Sequence, residues 1–436
     1  MATDTDIVTR VGPGTPMGNL MREYWIPAAL SSELVADGPP MRLMLLGEKL
    51  IAFRDSFGRV GILDHTCPHR CASLFFGRNE EGGVRCAYHG WKFDVEGNCL
   101  DMPNVPPHQA FTEKVKAPAY PTAERAGLVW AYMGKRKEPP PLPAFEAVML
   151  DPAEQMLFAV QRECNYLQAL EGDIDTSHFG FLHAGKVTPE EADPTNQGRY
   201  ALINRAPEYH VADTEWGTMY AAHRPAEPGQ TYWRFAHFLF PFWTLPPDGN
   251  FADHVVARAW VPMDDTHTMF FHTSWKKNTS GLRKYKDGNP IIGFAMGNKL
   301  RPNDTSWFGR WRLEASADND YLMDRDVQRT GSYTGITGIH LQDQAITESM
   351  GGIADHAKEH LALSDLMIAR TRRRLAQAVR EHAQGGAAPG VDQPELFAGA
   401  RSGDFISADT VGWLKAYGDE MRASSNPTGV LRIAAE

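Results

Sequence analysis

The chain has 436 residues, 42% hydrophobic and 22% charged, and 44 Lys and Arg against 54 Asp and Glu leave a net charge of −10. This is the balance of a globular chain of two or three domains; it excludes wholesale disorder and argues against a general nucleic-acid binder. Five cysteines (Cys67, Cys71, Cys86, Cys99, Cys164) are too few, and odd in number, for a secreted disulfide framework, whereas sixteen histidines suit metal ligation.

Residues 1–11 carry Asp4, Asp6 and Arg10 and no apolar signal-peptide core, and no run reaches the roughly 18–20 apolar residues of a membrane span. The expectation is a cytoplasmic protein with no membrane partner. Residues 12–31 open with Gly and Pro but lead into no βαβ pattern, so they read as a lead-in and not as a nucleotide loop. From 40 to 135 the text predicts short strands with Gly, Asp and Asn turns, including Met41–Leu46, Leu50–Arg54, Val60–Leu63 and Leu128–Met133. The prolines of 138–143 cannot continue a helix or a central strand and mark a boundary.

The expected division is therefore a lead-in over 1–39 that packs on the larger domain, a small all-β domain over 40–137 and a larger domain over 138–436. In the larger domain, Gln155–Gly172 and Asp173–His183 read as helices, and Thr231–Phe240 and His254–Val261 as strands. Tyr333–Gly352 and His356–Gln384 read as helices, followed by a linker at Gly385–Pro394 and a peripheral tail. Runs of strands followed by runs of helices predict an α+β class with an antiparallel sheet.

Cys67-Pro-His69-Arg-Cys71 and Cys86-Ala-Tyr-His89-Gly-Trp91 form C-x-H, sixteen residues, C-x2-H. Two chemistries use two thiolates and two imidazoles: a tetrahedral zinc site, and a Rieske [2Fe–2S] cluster with two Cys on one iron and two His on the other. The pattern favours the cluster. Each loop offers one soft and one harder ligand, so each can reach both irons, and no helix-borne H-x3–5-H pair of a common zinc finger is present. Cys71, Cys99 and Cys164 read as bystander thiols, and His65 as structural. Arg70, Gly90 and Trp91 read as packing or hydrogen-bonding neighbours of the cluster.

Downstream, Glu171-Gly-Asp173-Ile-Asp175-Thr-Ser-His178-Phe-Gly-Phe-Leu-His183 contains D-x2-H-x4-H. His178 and His183 would stand about 140° apart on an ideal helix, so both reach one metal only if the helix breaks between them, which Gly180 permits. Two His and one carboxylate make the open facial triad of non-haem Fe(II) oxygenases; two structural histidines are the bland alternative.

Together these motifs resemble the catalytic subunit of the Rieske non-haem iron aromatic-ring hydroxylating oxygenases, and within it the phthalate dioxygenase-like branch. The resemblance extends from Gly12-Pro-Gly-Thr-Pro-Met-Gly18 and Tyr24-Trp-Ile-Pro27 through Val261-Pro-Met-Asp-Asp-Thr-His267 and Asp324-Arg325 to Gln342-Asp-Gln-Ala-Ile-Thr-Glu-Ser-Met-Gly351 and Glu359-His-Leu361. It implies a helix-grip (START-like) catalytic domain beside the Rieske domain. It implies Cys67, His69, Cys86 and His89 as cluster ligands, and His178, His183 and Asp343 as ligands of a mononuclear Fe(II). Asp318, Asp320, Asp324 and Asp326 are rival carboxylates for the third place. Asp175 is implied as a catalytic bridge between the cluster of one subunit and the iron of the next, hence a head-to-tail homotrimer, stacked into hexamers in some relatives. Asn165, Glu171 and Asp173 read as capping or hydrogen-bonding residues. Where relatives often carry Pro and Arg, this chain has Gly352 and His356 after Met350, which predicts a looser end to the helix that carries Asp343.

The implied activity is oxidation of an aromatic carboxylate by O2, through ring dihydroxylation or monooxygenation, with O-demethylation of a methoxylated aromatic acid as an alternative. A non-catalytic Rieske electron carrier needs only one small β domain and leaves about 280 residues unexplained. Arg205 and Arg234 are the expected carboxylate partners, with Arg258 third, because a guanidinium fork matches a carboxylate. Phe181, Phe240, Phe242 and Trp243 are candidates for an apolar wall. Three cysteines beyond the motif cannot hold a further four-Cys cluster, and no dinucleotide fingerprint is visible. Electrons from NAD(P)H must therefore arrive through a separate flavin/iron–sulfur reductase or ferredoxin.

Overall fold

Three two-residue turns shape the first third of the chain. Leu46-Gly47, Glu81-Gly82 and Ala126-Gly127 all have positive φ at both residues, from 46° to 80°, the type I′ geometry whose twist matches that of an antiparallel hairpin. They join Met41–Leu45 to Glu48–Arg54, Arg78–Glu80 to Gly83–Arg85, and Thr122–Arg125 to Leu128–Tyr132. The computed structural model describes residues 6–297 and 299–432. In it, Val60–Asp64 and Ala119–Tyr120 complete one four-stranded antiparallel sheet. Lys92–Phe93 and Cys99–Asp101 complete a second.

The third sheet takes a strand from the lead-in. Trp25–Leu30 pairs with Leu128–Tyr132, which pairs with Thr122–Arg125. Ahead of it, Thr15 caps the helix Pro16–Arg22 by accepting from the Gly18 N–H. A Cβ at Gly18 would stand 2.2 Å from the Val11 carbonyl, so only glycine fits this close approach. Val8, Val11, Leu20 and Met21 are buried in one core with Leu375 and Val379 of the larger domain. The Leu46-Gly47 turn also docks there, donating both N–H groups to Pro262 and Met263.

The larger domain is an eight-stranded antiparallel sheet. Its order is Gln155–Arg162, Thr268–Trp275, Val256–Pro262, Trp243–Leu245, Gln230–Leu239, Gly217–Pro225 and Glu208–Thr214, with Gly403–Ala408 beside Gln230–Phe235. Val256–Pro262 is buried throughout, as suits a central strand covered on both faces. The long helix is Leu366–Ala383. It buries Met367, Thr371, Leu375 and Val379 at four-residue spacing, one stripe of a 3.6-residue repeat, and turns the Arg370 and Arg380 side to water. Among the described residues no helix is long and apolar enough to cross a membrane.

Four expectations are corrected. Gln155–Arg162 is a strand and not the start of a helix, because an eight-residue ladder with Thr268–Trp275 claims its backbone. The helix begins at Tyr166, where Asn165 accepts from the Leu167 N–H, and ends at Asp173, leaving only a single 3-10 turn at His178–Gly180. The helix predicted over His356–Gln384 begins at Leu366. Nor is the tail peripheral: Gly403–Ala408 is a sheet strand, and buried Arg401 forms a two-pronged ion pair with buried Glu146 at 2.7 and 2.9 Å. The helix Ile339–Ser349 stops where the Met350-Gly-Gly text loosens it, and Gly351 takes φ 92°.

Candidate metal centres and active-site pocket

The two Cys/His loops have the same shape. In each, the N–H four residues after the cysteine donates back to the cysteine carbonyl: Cys71 to Cys67 at 2.9 Å and Gly90 to Cys86 at 3.0 Å. The closing residue is left-handed in both (φ 59° and 78°). Cys67 and Cys86 are buried in the small domain's core with Trp91 and Phe93. The His69 and His89 rings stand 4.5 Å apart, and His69 stacks on Trp91 at 4.3 Å. Cys71 is exposed and joins neither.

This donor set fits a cluster. The buried His89 Nδ1 has no hydrogen-bond partner. Burial pushes the Cys67 thiol up to about 12; the His69 backbone N–H opposes this, and the adjoining Cys86 adds to it. Paired buried thiols shed their protons only to a strong cation. Among the described residues the four donors do not gather within the 4.8 Å that one ion demands, which sets a two-iron cluster above a single zinc.

The second centre does have single-ion dimensions. His178 Nε2 and His183 Nε2 are 3.1 Å apart, and Asp343 Oδ1 stands 3.1 Å from His183 and 3.7 Å from His178. Ligands about 2.1 Å from one ion at right angles lie about 3 Å apart, the spacing of a facial triad. The break after Asp173 permits it, and Asp343 comes from the first half of Ile339–Ser349. Of the rival carboxylates, Asp324 caps Arg325–Thr330 and Asp326 pairs with Arg329. Neither these two nor Asp318 and Asp320 belongs to the His178–His183 group.

Each imidazole has a different support. His178 Nδ1 faces Asp175 Oδ2 at 3.4 Å, while Asp175 Oδ1 accepts from the Ser177 N–H and hydroxyl. Burial opposes both charges, but the mutual attraction outweighs it, so the carboxyl is held below and the imidazole above its ordinary range. His183 Nδ1 lies 2.6 Å from Gln342 Oε1. Gln342 is fully buried, and its NH2 group donates to Thr334 Oγ1 and the Ile336 carbonyl at 3.0 and 2.9 Å. The carbonyl can only accept, so the amide is oriented, His183 Nδ1 must donate, and Nε2 keeps its lone pair for a metal. Despite burial, the two imidazoles hold the Asp343 carboxyl well below its usual range.

A pocket opens on the triad and is lined by Phe179, Phe294, Arg234, Arg258 and Arg283. The Rieske model for [2Fe–2S] domains matches residues 24–120, and the model described as LigXa C-terminal domain like matches 131–427. The 3-chlorobenzoate-3,4-dioxygenase oxygenase subunit of Comamonas testosteroni is 50% identical over 96% of this chain and 98% of its own length. The phthalate 4,5-dioxygenase oxygenase subunit of Pseudomonas putida is 36% identical over 93% and 92%. A crystal structure of dicamba monooxygenase bound to dicamba shares the fold, with TM-score 0.56, 18% identity and coverage of 84% and 99%.

The chain belongs to the Rieske non-haem iron aromatic-ring oxygenases. It is an oxygenase alpha subunit, an oxidoreductase with a Rieske [2Fe–2S] cluster and a mononuclear iron.

The pocket of this oxygenase takes in some of the side chains expected at the substrate and leaves out others. Arg234 lines it. Arg205 is not among the lining residues: its guanidinium lies 5.2 Å from the centre of the Phe181 ring and reaches the Val187 carbonyl. Phe240, Phe242 and Trp243 are buried core, with Trp243 packed on Trp130. The aromatic wall is Phe179 on Phe294, ring centres 5.2 Å apart. Asn165, Glu171 and Asp173 hydrogen-bond as the sequence predicts: a helix cap, a pair with Arg372, and bonds to Thr244 and Arg258.

Sequence reasoning missed Gln342 as a support, Arg283 on the wall and Asp404 of the tail strand, which lines the pocket and accepts from Tyr232 and Gln197. Only Gln342 left a signal, its place beside Asp343.

Proposed function

We propose that this oxygenase oxidises an aromatic carboxylate, with Cys67, His69, Cys86 and His89 holding the cluster and His178, His183 and Asp343 holding the iron. The observation that carries the reading is the single-ion His178–His183–Asp343 set opening on a pocket walled by two stacked rings and by arginines. Iron in the triad supplies O2 activation, and the cluster supplies electrons received from a separate flavin/iron–sulfur reductase or ferredoxin. Asp175 holds the Nδ1 proton of His178, and Gln342 holds that of His183, so both Nε2 atoms stay free to ligate. Phe179 and Phe294, stacked on each other, offer one apolar wall for a flat ring and exclude water along it. Ring oxygenation is preferred to O-demethylation because the relative matched at 50% identity is named for 3-chlorobenzoate-3,4-dioxygenase.

The proposed assembly is a head-to-tail homotrimer in which one subunit's cluster faces the next subunit's iron. A second groove supports it, reaching Asp175, His178 and Asp343 from another side past Ile346, Met350 and Leu361, all three exposed apolar side chains. Tyr88, beside the cluster ligand His89, is exposed too. The reductase draws on NAD(P)H, so the proposed location is the cytoplasm.

The test is turnover of benzoates, phthalates and methoxylated biaryl acids with reductase, NADH and 18O2. Labelled hydroxylated product is expected from the wild type and none from Asp343→Ala, which keeps the cluster spectrum. Undiminished turnover by Asp343→Ala, or no oxidised aromatic acid with the wild type, refutes the reading.

A further inference from the structure

Among the described residues, two guanidiniums of the pocket wall, Arg234 and Arg283, form no ion pair, and of these only Arg283 also lacks a side-chain hydrogen bond. Arg258 is satisfied twice over, by Asp173 and by Asp248, the latter at 2.6 Å. Asp248 is itself shared with His254 at 2.7 Å. Arg234 is buried in the sheet, donates to the Pro247 carbonyl at 2.8 Å and lies over Phe179. Arg283, on the loop after Thr268–Trp275, lines the same pocket. Among the described residues it forms no ion pair, and no side-chain hydrogen bond holds it. Burial pushes its pKa down; Asp248 pulls it up, but Arg258 and Arg234 push it further down. A half-buried cation among cations is completed by an anion from outside.

Its position gives that anion a direction. The Arg283 guanidinium carbon is 5.8 Å from the centre of the Phe294 ring. The ring of His183 is 6.1 Å from the same centre. Phe294 thus neighbours both Arg283 and an iron ligand, at 5.8 and 6.1 Å from its ring centre, and Phe179 stacks on it with 26° between planes.

We propose that Arg283 is the specificity-determining residue that receives the substrate carboxylate, while Phe294 carries the ring so that its edge remote from the carboxylate meets the iron. This rests on the reading that the pocket takes an aromatic carboxylate. Oxygen then enters at the meta and para carbons and not beside the carboxyl group. The guanidinium fork donates to both carboxylate oxygens, which the point charge of lysine does not reproduce.

The experiment compares wild type, Arg283→Leu and Arg283→Lys on the benzoate that the wild type oxidises fastest and on its neutral amide. Cluster absorbance and iron content serve as folding controls. In R283L the KM for the acid is expected to rise at least tenfold with kcat within about twofold, since hydrogen bonds to charged groups are the strong ones. The KM for the amide stays unchanged, and R283K falls between. Product analysis should place oxygen at the meta and para positions. An unchanged KM for the acid, a parallel rise for the amide, or oxygen at the ortho carbon overturns the proposal. If R283L does not accumulate, Arg283→Gln carries the same comparison. A wild type that oxidises no aromatic acid overturns the functional reading and this one with it. An active wild type with an indifferent R283L overturns the Arg283 assignment alone.

Discussion

Replacing Gln342 with Leu tests whether the iron site depends on a side chain that never touches the metal. The substitution keeps approximate volume and removes the acceptor 2.6 Å from His183 Nδ1. His183 is 4% exposed, so no bulk water takes over, and a buried donor left unsatisfied costs about 1–3 kcal/mol. Thr334 Oγ1 and the Ile336 carbonyl lose their donor as well. The imidazole can then rotate or adopt the tautomer with a proton on Nε2, where the metal must bind. Since about 1.4 kcal/mol is tenfold, iron affinity is expected to fall about 10–100-fold, in line with lost outer partners at other metal sites. The assay is competition with a chelator for Fe(II), with cluster absorbance as an internal control because the cluster loops lie in another domain. Iron affinity equal to wild type would refute the tautomer argument. Parallel loss of the cluster would show a general folding defect.

Asp175→Asn removes the charge facing His178 and keeps its shape; both metals are expected to stay bound while single-turnover electron transfer to the iron slows about 10–100-fold. A wild-type rate would count against the bridge. Fully buried His237 is held neutral: its Nδ1 accepts from the Trp216 indole N–H at 3.2 Å and its Nε2–H donates to the Arg401 carbonyl at 2.9 Å. Burial lowers its pKa to about 4, with the Arg401 carbonyl opposing. The group is depressed in the fold, so its stabilisation is whole above the unfolded value near 6.5 and is lost as pH falls toward 4. Between pH 7 and 4.5 the loss is roughly 2–3 kcal/mol. Urea unfolding should show His237→Gln losing less stability than wild type over that interval; identical losses would contradict the assignment.

What could be read before folding is tied to local chemistry. The X-Gly turns at 46–47, 81–82 and 126–127 need only φ above zero at two neighbouring residues, so strand-turn-strand text sufficed for the small domain. Cys67-x-His69 and Cys86-x2-His89 are legible because each loop presents its two ligands within four residues. Gln155–Arg162 was misread because Leu, Phe and Val serve a buried strand or a buried helix equally well, and only the partner Thr268–Trp275 decides. The sequence reading names Arg205 and passes over Arg283, which the fold places on the pocket wall. Arg283 stands in a loop with Lys276, Lys277, Lys284 and Lys286, which reads as solvated surface, whereas Arg205 lies close to the histidine motif.

By itself the sequence offered the donor chemistry: two Cys/His pairs, two histidines around a breakable turn, a distant carboxylate, and only three further cysteines, too few for a four-Cys cluster. Donor type and short spacing are properties of residues and their neighbours, and survive without coordinates. Only the tertiary structure decided that Asp343 and not its rivals meets His178 and His183, that Gln342 fixes a tautomer, and that a cation on the Phe294 wall is left unpaired. The first two are relations between segments more than a hundred residues apart. Distance and compensation of charge exist only once the sheet, the helix Ile339–Ser349 and the tail strand have packed around one pocket.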